Sequence, residues 1–363
     1  MWTRRLAAAV AVIALVVVET PPPASADSIR DRAWHLAALG IPDAQKIAQG
    51  EGVTVAVIDT GVDDKHAELA GAVLAGRGYG EGNDNDGRVD VVGHGTAMAG
   101  LIAGRGLPDN GGVLGIAPKA MILPLLVSNQ QSGLGVPQFL ADAIDWSAGH
   151  GAKVICVAMA VDDDPAVRQA IERALATDVV VVAAAGNRPE QTSIAFPARL
   201  PGVVAVGGTD RAGQHAQVSV SGPEMVLAAP SVEIPSTSPS GRYVLGTGTS
   251  DATAIVAGVV ALVRAEFPRL SGAEVVHRIT ATAVDKGRPG RDDEFGFGIV
   301  DPVAALTADV GGVPSSPAAS AVTGVPGGRE PGGRGVVWAL AGGGVVLLVA
   351  VMALVRGRRR ARS

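Results

Sequence analysis

The sequence predicts a doubly wound α/β domain over residues 51–307, a mostly parallel sheet with helices on both faces. Three observations lead there. Apolar, β-branched runs of four to six residues recur without the polar alternation of a half-exposed strand, so both faces of each run are buried. Stretches with helical spacing separate them, and strand–helix alternation with short links builds parallel sheets. Polar residues beside glycines stand just past several of these runs, where such sheets gather their functional groups. No internal repeat is evident.

In chain order, Val53–Ile58 is the first strand and ends at Asp59. Gly93-His94-Gly95-Thr96 opens a helix that continues through Ala97–Ala103. Pro137–His150 and Pro165–Thr177 are helices, the second preceded by Asp162, Asp163 and Asp164 as a helix-start cluster. Val154–Val157, Val179–Val182 and Val203–Val206 are further strands, with the Ala185-Gly186-Asn187 turn between the last two. Gly246-Thr247-Gly248-Thr249-Ser250-Asp251-Ala252 then runs into an apolar helix, Thr253–Phe267.

The flanks read as addresses. Residues 1–26 form a secretory signal: Arg4 and Arg5, the apolar Leu6–Val18, then Ala24-Ser25-Ala26 as a small-residue cleavage pattern. Residues 27–50 are an N-terminal extension. Residues 308–334 are a Gly/Pro/Ser-rich linker that cannot build a core. Residues 335–355, with no charge from Val336 to Val355, are a transmembrane helix. Residues 356–363 are a tail with five arginines, which belongs on the cytoplasmic side. The expectation is a single-pass cell-membrane protein with an extracytoplasmic globular body.

Composition narrows the function. Of 363 residues 47% are apolar, enough for a large core, and Cys156 is the one cysteine, so no disulfide framework is available. Between the signal and the span the chain carries 23 basic and 34 acidic side chains, a net of −11. An acidic body argues against nucleic acid as a partner.

Three glycine-flanked segments carry the chemistry. A strand-end Asp59 serves as well for a loop acid, and Ser250 at a helix start serves as well for a cap. His94 between two glycines is poorly placed for packing. Taken together they are an Asp, a His and a Ser in one of the chain orders in which a serine nucleophile, its base and the orienting carboxylate occur. Asn187 adds an amide able to donate to an oxyanion, alongside the Ser250 N–H.

On these residues the chain resembles the subtilisin-like serine proteases. The matching segments are Val57-Ile58-Asp59-Thr60-Gly61-Val62, Gly93-His94-Gly95-Thr96-Ala97-Met98-Ala99-Gly100, Ala183–Asn187 and Gly248-Thr249-Ser250. Gly115–Pro118, Phe196-Pro197-Ala198, Gly202–Gly207 and Gly296–Asp301 match as well, so the likeness spans about residues 34–306. Trp34–Pro42, with the signal and the anchor, makes it similar to the mycosins, membrane-anchored proteases of actinobacterial type VII secretion. The resemblance implies that Asp59 orients His94, His94 is the general base, Ser250 attacks the peptide carbonyl, and Asn187 with the Ser250 N–H holds the oxyanion. It implies a protein or peptide substrate, type VII secretion membrane components as partners, and no organic cofactor. A scaffold subunit that lost turnover, or a surface protease unrelated to secretion, are the competing readings.

The chain also departs from that pattern. Ala254 stands where the family has Pro, Ala160 where it has Gly beside the substrate strand, and Asp251 follows the nucleophile directly. Asp251 is either a helix-start charge facing solvent or an acid beside the developing oxyanion. Residues 27–50 are too short for the folded pro-domain of many such proteases and are expected to wrap onto the body. Asn83-Asp84-Asn85-Asp86-Gly87 with Asp90 resembles half of a calcium loop but lacks the closing Glu, so it reads as an exposed acidic turn and no metal ligand is assigned. Cys156 reads as a core hydrophobe, and His35, His66, His150, His215 and His277 as surface or packing residues.

Overall fold

The computed structural model describes residues 26–80, 85–128 and 136–311. The signal before Ala26, the linker beyond Gly311, the span 335–355 and the basic tail lie outside them. Among the described residues no helix is long and apolar enough to cross a membrane.

Three short helices come first, α1 (Ala26–Arg32), α2 (Trp34–Ala38) and α3 (Ile41–Ala44). The central strand β1 is Thr54–Asp59, followed by the two-residue β2 (Arg77–Gly78), helix α4 (His94–Ala103) and β3 (Met121–Leu126). Helix α5 (Pro137–Gly149), β4 (Val154–Val157), α6 (Pro165–Ala176), β5 (Val180–Ala184), β6 (Val204–Thr209) and β7 (Leu227–Pro230) continue the alternation. A hairpin of β8 (Ile234–Ser238) and β9 (Arg242–Gly246) precedes α7 (Thr249–Glu266), α8 (Gly272–Ala281) and α9 (Pro302–Thr307).

Seven strands make one parallel sheet in the order β2-β3-β1-β4-β5-β6-β7. The chain winds outward from β1 one way, returns, and winds outward from β4 the other way. The switch point, where such sheets take their ligands, is therefore the crevice past the carboxyl ends of β1 and β4. Asp59 is the last residue of β1.

The period of two along the strands divides the core cleanly. Val55, Val57, Val154 and Cys156 face one side, with Met98 and Leu101 of α4 and Ile255, Val259 and Leu262 of α7. Ala56, Ile58, Ile155 and Val157 face the other, with Leu140 and Ile144 of α5 and Val167 and Ile171 of α6. Cys156 is fully buried, and burial pushes its thiol far above the ordinary range. Asp164 caps α6 by accepting the Ala166 N–H at 2.7 Å. Helix α7 is buried all round, which fits a helix apolar on every face.

Two parts of the chain lock onto this frame. Hairpin β8–β9 sits on α4, where Ser236 and Thr237 donate their hydroxyls to the carbonyls of Ala97 and Thr96 at 2.6 and 2.7 Å. In the N-terminal extension Ile29, Leu36, Leu39, Ile41 and Ala44 are buried. Arg30 donates to the carbonyls of Gly111 and Gly112, Trp34 Nε1 to that of Val232, and Gln45 to those of Gly115 and Ile116.

Candidate active site

The first polar group is fixed by β1. Asp59 is 1% exposed, and both carboxylate oxygens lie near His94 Nδ1, at 2.8 and 2.9 Å. A carboxylate can only accept here, so Nδ1 carries the proton and Nε2 remains for the reaction. The Thr60 N–H holds Asp59 Oδ1 at 2.8 Å.

His94 is the first residue of α4, behind Gly93 at φ +101°, a conformation that favours glycine. At Gly95 the helix start meets β1 so closely that a Cβ would stand 2.1 Å from the Gly61 carbonyl oxygen. Glycine on each side of the histidine thus lets the helix approach Asp59. Burial works against charge on His94, but Asp59, by charge and hydrogen bond, outweighs it. With Asp251 and Asp90 adding charge, the imidazole is held up at about 9.

Ser250 lies inside the first turn of α7, whose N-cap is Gly248. The capping role expected as an alternative for Ser250 is thus taken by another residue. The helix begins four residues before the expected Thr253, because the Gly-Thr-Gly run that reads as loop holds an extended Gly248 immediately before the turn. Ser250 keeps its N–H at a helix start, where the dipole favours negative charge.

Asn187 is oriented by the same turn. Its Oδ1 accepts the N–H and the hydroxyl of Thr249 at 2.9 and 3.1 Å, leaving Nδ2 to donate elsewhere. A Cβ built on Gly248 would lie 3.2 Å from both Asn187 Nδ2 and Ser250 Oγ, so the two groups converge. Asp59, His94, Asn187 and Ser250 line one cleft of about 940 Å³, with Ala158, Met159 and Ala160 past β4, Met98 of α4 and Val244 of β9. Ala160 lies on the wall where the departure from Gly was noted.

Two acids stand elsewhere than expected. Asp90 is not part of an exposed turn. It is 7% exposed and accepts five hydrogen bonds, from Thr60 Oγ1, the N–H groups of Val92 and Gly93, and the N–H and hydroxyl of Thr96. It thereby ties the start of α4 to the end of β1. The clue was its spacing, an Asp three to six residues ahead of orphan helix-start amides. Asp90 is thereby saturated and Asp86 is paired to Arg88, while Asn83 and Asp84 of the calcium-like turn lie outside the described residues. Asp251 does not face solvent. It is 3% exposed and lines the cleft, and burial, opposed by the charge of His94, pushes it up to about 7.

Among the histidines, His35 is buried and pushed down to about 3 by desolvation and the charge of Arg30. His66, expected only to pack, instead pairs with the buried Glu68 at 2.6 Å, and Glu68 also accepts the Tyr243 hydroxyl at 2.7 Å.

The chain is similar to known proteins along most of its length. The profile of the subtilase family matches residues 50–298. Subtilisin DY of Bacillus licheniformis is 36% identical over 256 residues, 69% of this chain and 88% of the relative. Mycosin-1 of Mycobacterium tuberculosis is 34% identical, across 83% of this chain and 79% of its own length. Among solved structures, MycP1 from the ESX-1 type VII secretion system superposes with a TM-score of 0.72 at 32% identity, covering 82% of this chain and 90% of that one.

Proposed function

Because the chain belongs to the subtilase family of serine proteases, we propose that its cleft hydrolyses peptide bonds through Asp59, His94 and Ser250, with Asn187 completing the oxyanion site. His94 Nε2 takes the Ser250 proton as Oγ attacks the carbonyl carbon, and returns it to the leaving amine. Asp59 holds the tautomer and stabilises the imidazolium that forms. Asn187 Nδ2 and the Ser250 N–H receive the carbonyl oxygen as it gains charge. Loss of one such donor costs roughly 10²–10³ in turnover, the range typical of subtilisin-type sites.

The supporting observation is the Asp59–His94 contact at the foot of a cleft that also holds Ser250 and the preset Asn187 amide. A fluorophosphonate probe tests it, because it reports an activated serine without a known substrate. Covalent labelling that disappears in Ser250→Ala is expected. A folded chain that takes no label would favour a scaffold role.

The wider setting we propose is that of a membrane-anchored, outward-facing mycosin of a type VII secretion system, acting beside that system's membrane components. Similarity to Mycosin-1 and to MycP1 supports it, as do the apolar stretch 335–355 and the arginines behind it. In intact cells, external protease should reach the body but spare a tag on the C-terminus. Release of the whole chain from washed membranes by salt would contradict the anchor.

A further inference from the structure

Asp251 follows the nucleophile, yet the reaction above gives it no task. Its carboxylate is buried in the cleft wall against Gly246, where a Cβ would stand 2.4 and 2.7 Å from its two oxygens. The end of β9 is thus cut back to glycine where the acid sits. Among the described residues, no hydrogen bond or ion pair from another residue holds this carboxylate. A helix-start charge would need no burial. His94 reaches Asp251 by charge alone, and a carboxylate buried without a hydrogen bond or ion pair is costly, so a cation placed on it relieves that cost.

Besides Asp251, the cleft lining carries two carboxylates, Asp59 and Glu190. Asp59 is committed to His94, and Glu190 stands exposed at the rim. Arg188, which also lines the cleft, donates to the Ser219 carbonyl at 2.9 Å. Val92, Ala97, Met98, Met159 and Val244 supply apolar wall, and Thr60, Ser128, Gln191, Ser238 and Thr247 add polar but uncharged groups. Asp251 follows Ser250 directly, lines the same cleft and acts on His94 by charge, so a group seated on it is close to the reacting centre.

We propose that Asp251 is the specificity determinant of this cleft, the counter-ion for a lysine or arginine that the substrate carries next to the scissile bond. The inference rests on Ser250 being the nucleophile. A substrate with a neutral side chain there leaves the acid unpaired, and one with an acidic side chain is repelled, so discrimination operates by rejection as well as attraction. Burial has raised this acid, so the preference should strengthen as pH rises through about 7 and the carboxylate ionises.

The test digests a peptide library with the purified full chain and maps the cut sites, with fluorophosphonate labelling of Ser250 run in parallel. Lysine and arginine should be enriched within two positions of the cut. Paired peptides differing only in lysine against its neutral isostere should differ at least tenfold in kcat/KM. Asp251→Asn should bring that ratio close to one while Ser250 still labels, and Asp251→Glu should keep the preference. Cleavage by the unaltered chain without basic enrichment would overturn the proposal whatever the variants do. An Asp251→Asn protein that slows all peptides equally would overturn it too, since the acid would then act only through His94. If Ser250 takes no label in the unaltered chain, the protease reading fails and this one with it.

Discussion

Three carboxylates act on the His94 imidazole: Asp59 through a hydrogen bond and charge, Asp251 and Asp90 through charge. Held at about 9, the ring is protonated at neutral pH and is then no base. Fluorophosphonate labelling should therefore climb with pH along a limb centred near 9, and Asp251→Asn should move that limb downward. A midpoint at the ordinary 6.5 would mean that the carboxylates do not control the ring. The fold binds this proton more tightly than the unfolded chain does, so the contribution is complete below about 6.5 and is lost as pH rises through about 9. The residues of this site were legible in the sequence because glycine flanks two of them and each ends a strand or begins a helix. The burial of Asp251 was not, because its cause is a glycine five positions earlier whose missing side chain makes the room.

At the scale of elements, α4 shows how one cap serves catalysis. Asp90→Ala strips acceptors from three backbone N–H groups, two of them buried, and two hydroxyls, and should cost on the order of 2–4 kcal/mol. Thermal unfolding checks that figure. A larger loss in kcat than rise in KM would show that His94 had shifted, whereas a stability loss with unchanged labelling would confine Asp90 to structure. Strands β1, β4, β5 and β6 and helices α5 and α6 were readable because their apolar runs or helical periods are uninterrupted. Strand β3 was not, since Pro124 interrupts it. Proline is tolerated there because β2 pairs with only Leu125 and Leu126, so Pro124 lies beside no ladder on that flank. Hairpin β8–β9 escaped for a different reason: Ser236 and Thr237 are buried by hydrogen bonds to α4, which hydrophobic patterning cannot detect.

For the whole molecule, the topology puts Asp59 at the switch point of the sheet, and α7, α4 and the Asn187 turn bring the other groups to it. The N-terminal extension supports that frame from the side. None of residues 26–48 lines the cleft, while burial of its larger apolar side chains is worth about 1.5–3 kcal/mol each. Removing residues 26–48 should therefore lower Tm by about 10 °C or more and leave Ser250 labelling intact at 25 °C. A marked gain in labelling after removal would show that the segment is an inhibitor.

The extension also bears on the order of events during synthesis. Gly40 lies so close to α9 that a Cβ on it would stand 3.2 Å from Val303, and Ile41 and Ala44 share one core with Ala305 and Leu306. These first described helices thus find part of their resting place only when more than 250 further residues have been made. Until then the apolar groups of α3 lack the part of their core that α9 supplies. The last helix of the domain therefore closes the core that the first described ones open.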